Sequence, residues 1–432
     1  MSRMSGARMP SLTESAPKLK RKRARSGPYG VLDIGSSKVV CLIGRVEGDG
    51  RPRVLGYGWQ RARGVKGGNI VDLQEAEHAI RAAVAQAEEM ADLKLSGAIV
   101  NLSCGQPASR LMNIQWPIGG RAVTEADLRA VLSEGRRRAQ DEGRETVHAT
   151  TLGFTIDSTS GVEDPRGMMC ETLGARLHMV DASSAALRNL GLCLAGCDLE
   201  VEELVSAPFA AALAVLVEDE KQLGATVIDM GGGTTGIAVY GDGHLLHTAQ
   251  LPVGGWQVTN DLARGLATPL GHAERMKTLH GSCMDGGNDL KEMLSVPQVG
   301  EDEDQLTQMP RTRLVEIIRP RLEETLELVR DRLEGALLDS EAGARVVLTG
   351  GASQLVGVRE MAARILDKPV RIGRPQPVPG LPDSASGPDF ATTLGLLHWG
   401  AGEGRPLLDL DPGPDRSGGR FIRFVNWLRE RV

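Results

Sequence analysis

Aromatic side chains are scarce: Phe, Trp and Tyr make up 3% of the 432 residues. Apolar residues still reach 41%, so the cores must be aliphatic and alanine-rich. No apolar run approaches the roughly 18 residues that a membrane-spanning helix needs. The first 28 residues lack the apolar stretch of a secretory signal. The six cysteines (41, 104, 170, 193, 197 and 283) form no CxxC pair, and Cys193 and Cys197 have no His nearby in sequence. They read as buried, reduced thiols of an intracellular protein. A net charge of −6 gives no general case for nucleic acid. Neither GxxxxGK[ST] nor GxGxxG occurs in its proper context, which excludes a Walker A loop and a dinucleotide-binding fingerprint.

What the chain does have is one hairpin signature written twice. The first copy is Val31-Leu32-Asp33-Ile34-Gly35-Ser36-Ser37-Lys38-Val39-Val40. The second is Val227-Ile228-Asp229-Met230-Gly231-Gly232-Gly233-Thr234-Thr235-Gly236-Ile237. Each is an apolar strand ending in Asp, a turn of small residues, and another apolar strand. Asp at the carboxyl end of a buried strand sits where ligands collect in open α/β sheets. Its carboxylate suits Mg²⁺, directly or through water. Glycine lets the backbone approach a ligand closely, and successive N–H groups in such a turn form an anion nest. Ser36, Ser37, Thr234 and Thr235 add hydroxyls, and Lys38 can reach a β- or γ-phosphate as a point charge. Two such hairpins facing each other would hold a nucleoside triphosphate between two lobes.

A third element, Val346-Val347-Leu348-Thr349-Gly350-Gly351-Ala352-Ser353, reads as a buried strand, a Gly-Gly turn and a helix start. There the backbone can lie close against a base or ribose.

The remaining chain divides by composition. Residues 1–28 form a basic tail with Lys18, Lys20, Arg21, Lys22, Arg23 and Arg25, expected to be disordered and solubilising. A first core lobe runs over 29–107, with a helix from about Asp72 to Ala91 whose alanines recur at helical spacing. Residues 108–187 read as an inserted subdomain, with strands near 109–118, 146–156 and 172–181. Its helix begins at Thr124, where Thr124 and Asp127 suit an N-cap and a first-turn acid. Residues 188–222 complete lobe one. Residues 223–256 open lobe two, 257–334 form a helical subdomain broken by an acidic loop over 285–304, and 335–401 return to the core. Residues 402–419, rich in Gly, Pro and Asp, read as a flexible linker.

Residues 420–432 have the pattern of an interfacial amphipathic helix. Phe421, Phe424, Val425 and Leu428 share a face with Val432, and Ile422 and Trp427 flank it. Arg420, Arg423 and Arg429 supply positive charge suited to anionic lipid. The bland alternative is a terminal helix docked on protein.

With these residues in view, the chain resembles the FtsA family of bacterial actin-like cell-division proteins, within the actin, sugar-kinase and 70-kDa-chaperone ATPase superfamily. The matching segments are the second hairpin through Tyr240, Ala273-Glu274-Arg275-Met276-Lys277, Ile318-Arg319-Pro320-Arg321, Thr392-Thr393-Leu394-Gly395-Leu396-Leu397-His398 and the Asn426-Trp427-Leu428-Arg429 tail. The resemblance covers roughly 29–432. It implies an α/β, two-lobed actin-like ATPase fold with duplicated ribonuclease-H-like mixed sheets, an inserted subdomain and a C-terminal amphipathic helix. It implies ATP and Mg²⁺ in the cleft, with Asp33 and Asp229 attending the metal. Gly35, Ser36, Ser37, Lys38 and Gly231, Gly232, Gly233, Thr234 and Thr235 would hold phosphates. Gly350, Gly351, Ala352, Gly255, Glu274 and Lys277 would meet the nucleoside. The implied partners are the C-terminal peptide of a tubulin-like division-ring protein, further copies of the chain in a filament, later division proteins at the insert, and anionic lipid, but no nucleic acid. The implied place is the cytoplasmic face of the inner membrane at the division site. Arg313, Arg319, Arg321 and Arg330 are candidates for the ring peptide, against the plainer reading of a solvated helix face.

One departure bears on catalysis. Related ATPases place Glu or Gln before the Pro that opens the helix beneath the cleft, and this chain has Ser206-Ala207-Pro208. Ala207 cannot orient water or accept its proton. At most a slow ATPase is expected. Two other readings remain at this point: a sugar or acetate kinase of the same superfamily, and an actin-like pilus-assembly protein.

Overall fold

The computed structural model describes residues 27–286, 291–301, 306–336, 343 and 345–405. Most of the basic tail, the linker and the amphipathic segment 420–432 lie outside these residues. Lobe one opens with β1 (Tyr29–Ile34), β2 (Lys38–Val46) and β3 (Pro52–Arg61). A short pair, β4 (Val65–Lys66) and β5 (Asn69–Ile70), leads into α1 (Leu73–Ala91) and β6 (Gly97–Leu102). The chain then leaves through β7 (Ala108–Pro117), α2 (Glu125–Ala139), β8 (Arg144–Ile156), β9 (Thr159–Val162) and β10 (Thr172–Ser183). It returns by α3 (Ser184–Gly196), β11 (Glu200–Ser206), α4 (Ala207–Val215) and α5 (Glu218–Leu223). Lobe two has β12 (Ala225–Met230), β13 (Thr235–Gly241), β14 (His244–Leu251), α6 (Gly255–Gly265) and α7 (Leu270–His280). It continues with β15 (Met293–Pro297), β16 (Leu306–Pro310), α8 (Thr312–Gly335), β17 (Arg345–Thr349), α9 (Val358–Leu366), β18 (Val370–Ile372) and α10 (Ala391–Ala401).

The first lobe is built on a sheet in the order β11-β6-β1-β2-β3. The second sheet runs β18-β17-β12-β13-β14-β7-β10-β8-β9, so the strands that follow lobe one's β6 continue lobe two's sheet through one β14–β7 ladder pair, Ala249 opposite Ala108. In both lobes the Asp-bearing strand pairs antiparallel with its successor and parallel with a third strand: β1 with β2 and β6, β12 with β13 and β17. That repetition places Asp33 and Asp229 at equivalent strand ends.

Local sequence explains the helices. Asp72 accepts from Glu75 N at the start of α1, and Ala76, Ile80, Ala83 and Ala87 form its buried stripe. Thr124 and Asp127 close a reciprocal capping box at the start of α2. The acidic stretch expected as a loop over 285–304 instead carries β15, which pairs antiparallel with β16 just beyond it. These two five-residue strands alternate too briefly beside charged neighbours to show as strands in the sequence. The expected helix start after Gly350-Gly351 is a 3₁₀ turn, Gly351–Gln354, before α9. All six cysteines are buried and free, and burial pushes the Cys41 thiol up to about 12. No helix among the described residues is long and apolar enough to cross a membrane.

Helices α4 and α10 pack against each other in a core fed by Val31, Val40 and Ile99 of the first sheet and Val227, Ala238 and Val347 of the second. This pair is the floor joining the lobes. It depends on Gly395, where an added Cβ would fall 1.7 Å from Ala210 O. Gly395→Ala is expected to destabilise the chain by about 3 kcal/mol, because backbone must move to relieve the overlap. A urea midpoint equal to that of the parent chain would contradict this packing.

Candidate nucleotide cleft between facing hairpins

The two hairpin turns meet. A Cβ on Gly233 would fall 2.4 Å from Ser36 Oγ, and one on Gly232 would lie 3.0 Å from Ser37 Cβ. Only glycine permits the lobes to approach this closely. Each turn closes in the same way, Gly35 N donating to Lys38 O at 3.0 Å and Gly231 N to Thr234 O at 2.9 Å. Trp256, at the start of α6, donates from Nε1 to Ser36 O at 3.2 Å and from its backbone N to Gly232 O at 2.7 Å. It therefore pins one turn to the other. Gly68 N donates to Ser36 Oγ at 3.1 Å.

The acids sit at the strand ends, as the sequence pattern expects. Thr393 Oγ1 donates to Asp33 Oδ2 at 2.6 Å, and Thr392 Oγ1 donates to Asp229 Oδ2 at 2.9 Å. Adjacent threonines at the start of α10 thus orient one carboxylate from each lobe. Burial raises the pKa of Asp33, partly offset by the Thr393 hydroxyl and Lys38. Burial pushes Asp229 up to about 6, with the Thr392 hydroxyl working against it and the charge of Asp33 adding to it. Two desolvated acids that repel each other across a cleft fit a divalent cation, which would relieve both costs. Burial lowers the pKa of Lys38, opposed chiefly by Asp389, whose Oδ2 lies 2.5 Å from the ammonium.

The nucleoside set also converges. Gly255 N donates to Gly231 O at 2.9 Å, and a Cβ on Gly255 would lie 3.5 Å from Ala352 Cβ. Lys277 Nζ donates to Gly255 O, Thr259 Oγ1 and Glu274 Oε2 at 3.2, 2.9 and 2.6 Å. Gly350 has φ +84°, and a Cβ there would fall 2.4 Å from Asp229 Oδ1. The adenosine-type turn therefore abuts the second hairpin. Thr235 is in place, but its hydroxyl donates to Val253 O at 2.8 Å inside the fold, so it secures the hairpin. Ala207 opens α4, and Pro208 lies against Gly236 of the second hairpin, within 2.9 Å of where a Cβ there would stand.

Residues of this site that escaped the sequence reading include Gly68, Trp256, Thr259, Asp389, Thr392 and Thr393, with Phe390, whose ring lies beneath the Lys38 ammonium. Thr392 and Thr393 lie in a segment that matched by family resemblance, yet nothing local tells that their hydroxyls reach acids on other strands.

The candidate ring-peptide arginines all lie on α8, and each has a carboxylate neighbour within the chain. Arg313 pairs with Glu316 at 2.7 Å, Arg319 with Asp285 at 2.7 Å, Arg321 with Asp261 at 2.5 Å, and Arg330 lies 3.7 Å from Asp331 and Glu334. The candidate membrane residues 420–432 lie outside the described residues.

Comparison with known proteins agrees with this architecture. A family model described as cell division protein FtsA matches residues 226–395, and a model of the SHS2 domain inserted in that family matches residues 105–181. Cell division protein FtsA of Agrobacterium fabrum is 43% identical over 426 residues, covering 94% of this chain and 95% of that protein. The Escherichia coli K12 protein of the same description is 34% identical over 414 residues, covering 92% and 97%. Among solved structures, a chain of a PilM–PilN type IV pilus biogenesis complex superposes with a TM-score of 0.61 at 20% identity, over 86% of this chain and 98% of that one, a likeness of fold. With the duplicated Asp-hairpin lobes, the inserted domain and this identity along nearly its whole length, the chain belongs to the FtsA family of cell-division proteins.

Proposed function

We propose that the chain is a nucleotide-dependent membrane scaffold of cell division. It binds Mg·ATP in the cleft, assembles with further copies of itself, and tethers the tubulin-like division ring to the cytoplasmic face of the inner membrane. Later division proteins are recruited through the inserted subdomain. The observation that carries the nucleotide part is the contact of the two hairpin turns, with one threonine-oriented carboxylate from each lobe beside it.

Bound Mg²⁺ would neutralise phosphate charge and Asp33 and Asp229 together. These two acids would hold it, amides and hydroxyls of both turns would receive phosphate oxygens, and Lys38 would supply a cation. Gly255, Ala352 and the Glu274–Lys277 pair accept the nucleoside. The chain's part is binding and closure of two lobes more than bond cleavage. Among the described residues, the position beneath the cleft that would orient water is the methyl of Ala207. Purified protein is therefore expected to hydrolyse ATP far below the roughly 10 s⁻¹ of a median enzyme. A phosphate-release assay reporting rapid turnover that disappears with Asp229→Ala would contradict this.

A further inference from the structure

Lys38 is held before any phosphate arrives. Its ammonium lies 2.5 Å from Asp389 Oδ2 and 3.3 Å from the centroid of Phe390. Asp389 stands on a turn tied to lobe two: Gly350 N donates to Pro388 O at 3.0 Å, and Thr349 Oγ1 donates to the same oxygen at 3.1 Å. The other carboxylate oxygen of Asp389 lies 3.5 Å from Gln354 Nε2, and a Cβ on Gly351 would come 3.6 Å from Asp389 Cβ. Asp389 thus occupies the place between the lysine of the first hairpin and the Gly-Gly turn of lobe two.

Resting on the nucleotide reading above, we propose that Asp389 is an internal competitor for phosphate. It holds Lys38 until a phosphate oxygen displaces it, and so sets the affinity of the cleft for polyphosphate nucleotides. The phosphate end carries Asp33, Asp229 and Asp389 against the single charge of Lys38, and Mg·ATP is itself net negative. A carboxylate built into the fold competes at high effective concentration. Like charges in this partly desolvated cleft repel more strongly than in water. Removing the Asp389 charge frees Lys38 and lessens the repulsion, so binding tightens. A purely structural bridge between lobes predicts the opposite sign, because cutting it loosens the cleft.

The test is calorimetric titration of the full chain with Mg·ATP and, separately, with adenosine. D389N and D389S are each expected to bind Mg·ATP about tenfold more tightly, a shift of about 1.4 kcal/mol. Adenosine, which lacks phosphate, is expected to bind unchanged. The gain shrinks in a K38M background, where only the relief of repulsion separates K38M from K38M/D389N. Unchanged or weaker Mg·ATP binding by both Asp389 variants overturns the proposal, as does a gain undiminished by K38M. Absence of adenine-nucleotide binding by the unsubstituted chain is a different result, and it removes the nucleotide reading itself.

Discussion

Asp229→Asn is expected to make the ligand-free protein more stable while weakening Mg·ATP binding about 10–100-fold, the scale for loss of a group that orders a metal's surroundings. The two effects share one cause. An unfolded Asp titrates near 3.8, whereas in the fold Asp229 is pushed up to about 6. The folded state therefore holds this proton more tightly. The stabilisation from that proton is complete below the unfolded value and is lost as pH rises through about 6. Above that pH the fold keeps an ionised carboxylate in a desolvated place beside Asp33, at a cost of about 1–3 kcal/mol. Asn has the same shape, can still accept from Thr392 Oγ1, and carries no charge. Its melting temperature is expected to exceed the parent's by a few degrees at pH 8, with the advantage shrinking as pH falls from 6 towards 3.8. Scanning calorimetry across this range checks it. An Asn variant less stable than the parent at pH 8 would contradict the reading of Asp229 as a strained ligand group.

Removing residues 420–432 is expected to weaken binding to vesicles containing anionic lipid by about 100-fold or more. Four arginines and one glutamate give the segment a net charge of about +3. Each basic side chain adds roughly 1 kcal/mol near an acidic leaflet. Phe421, Phe424, Val425 and Leu428 add partial burial, against the cost of ordering a short helix. The expected result is a reversible anchor, strengthened when several chains act together. Full-length protein should co-sediment with anionic vesicles and release in high salt, and the truncated chain should stay in the supernatant. Equal sedimentation of both would put the lipid contact elsewhere in the chain, and sedimentation of neither would remove the membrane reading. The latter outcome would leave a protein recruited by a partner, as the pilus-type alternative requires, or one that never meets a membrane.

How much of this was legible in the sequence follows from the range of each interaction. The hairpins are local objects: a strand, an acid, a small-residue turn and a returning strand lie within a dozen residues, so their chemistry shows in the chain itself. The Thr124 cap and the alanine stripe of α1 are local too. The partners of the acids are not. Lys38 meets Asp389 across 351 residues, Thr393 meets Asp33 across 360, and Trp256 joins the turns across 220. Nothing in the spacing of Asp389 or Trp256 marks either of them. The hydroxyl of Thr235 was misread for a related reason: alternation along β13 turns it inward to Val253, while the sequence shows only a threonine beside a glycine turn. The sheet running from lobe two into β7 was equally out of reach, since one ladder pair and the Ser109 hydroxyl make that junction.

The central claim is that both hairpins close on one Mg·ATP. Calorimetric titration of the full chain with ATP, with and without magnesium, for the parent, Asp33→Asn and Asp229→Asn proteins, tests it most directly. The account predicts one nucleotide per chain, magnesium-dependent, and weakened by either substitution alone. No uptake by well-folded parent protein, or binding that depends on one aspartate and ignores the other, would contradict it.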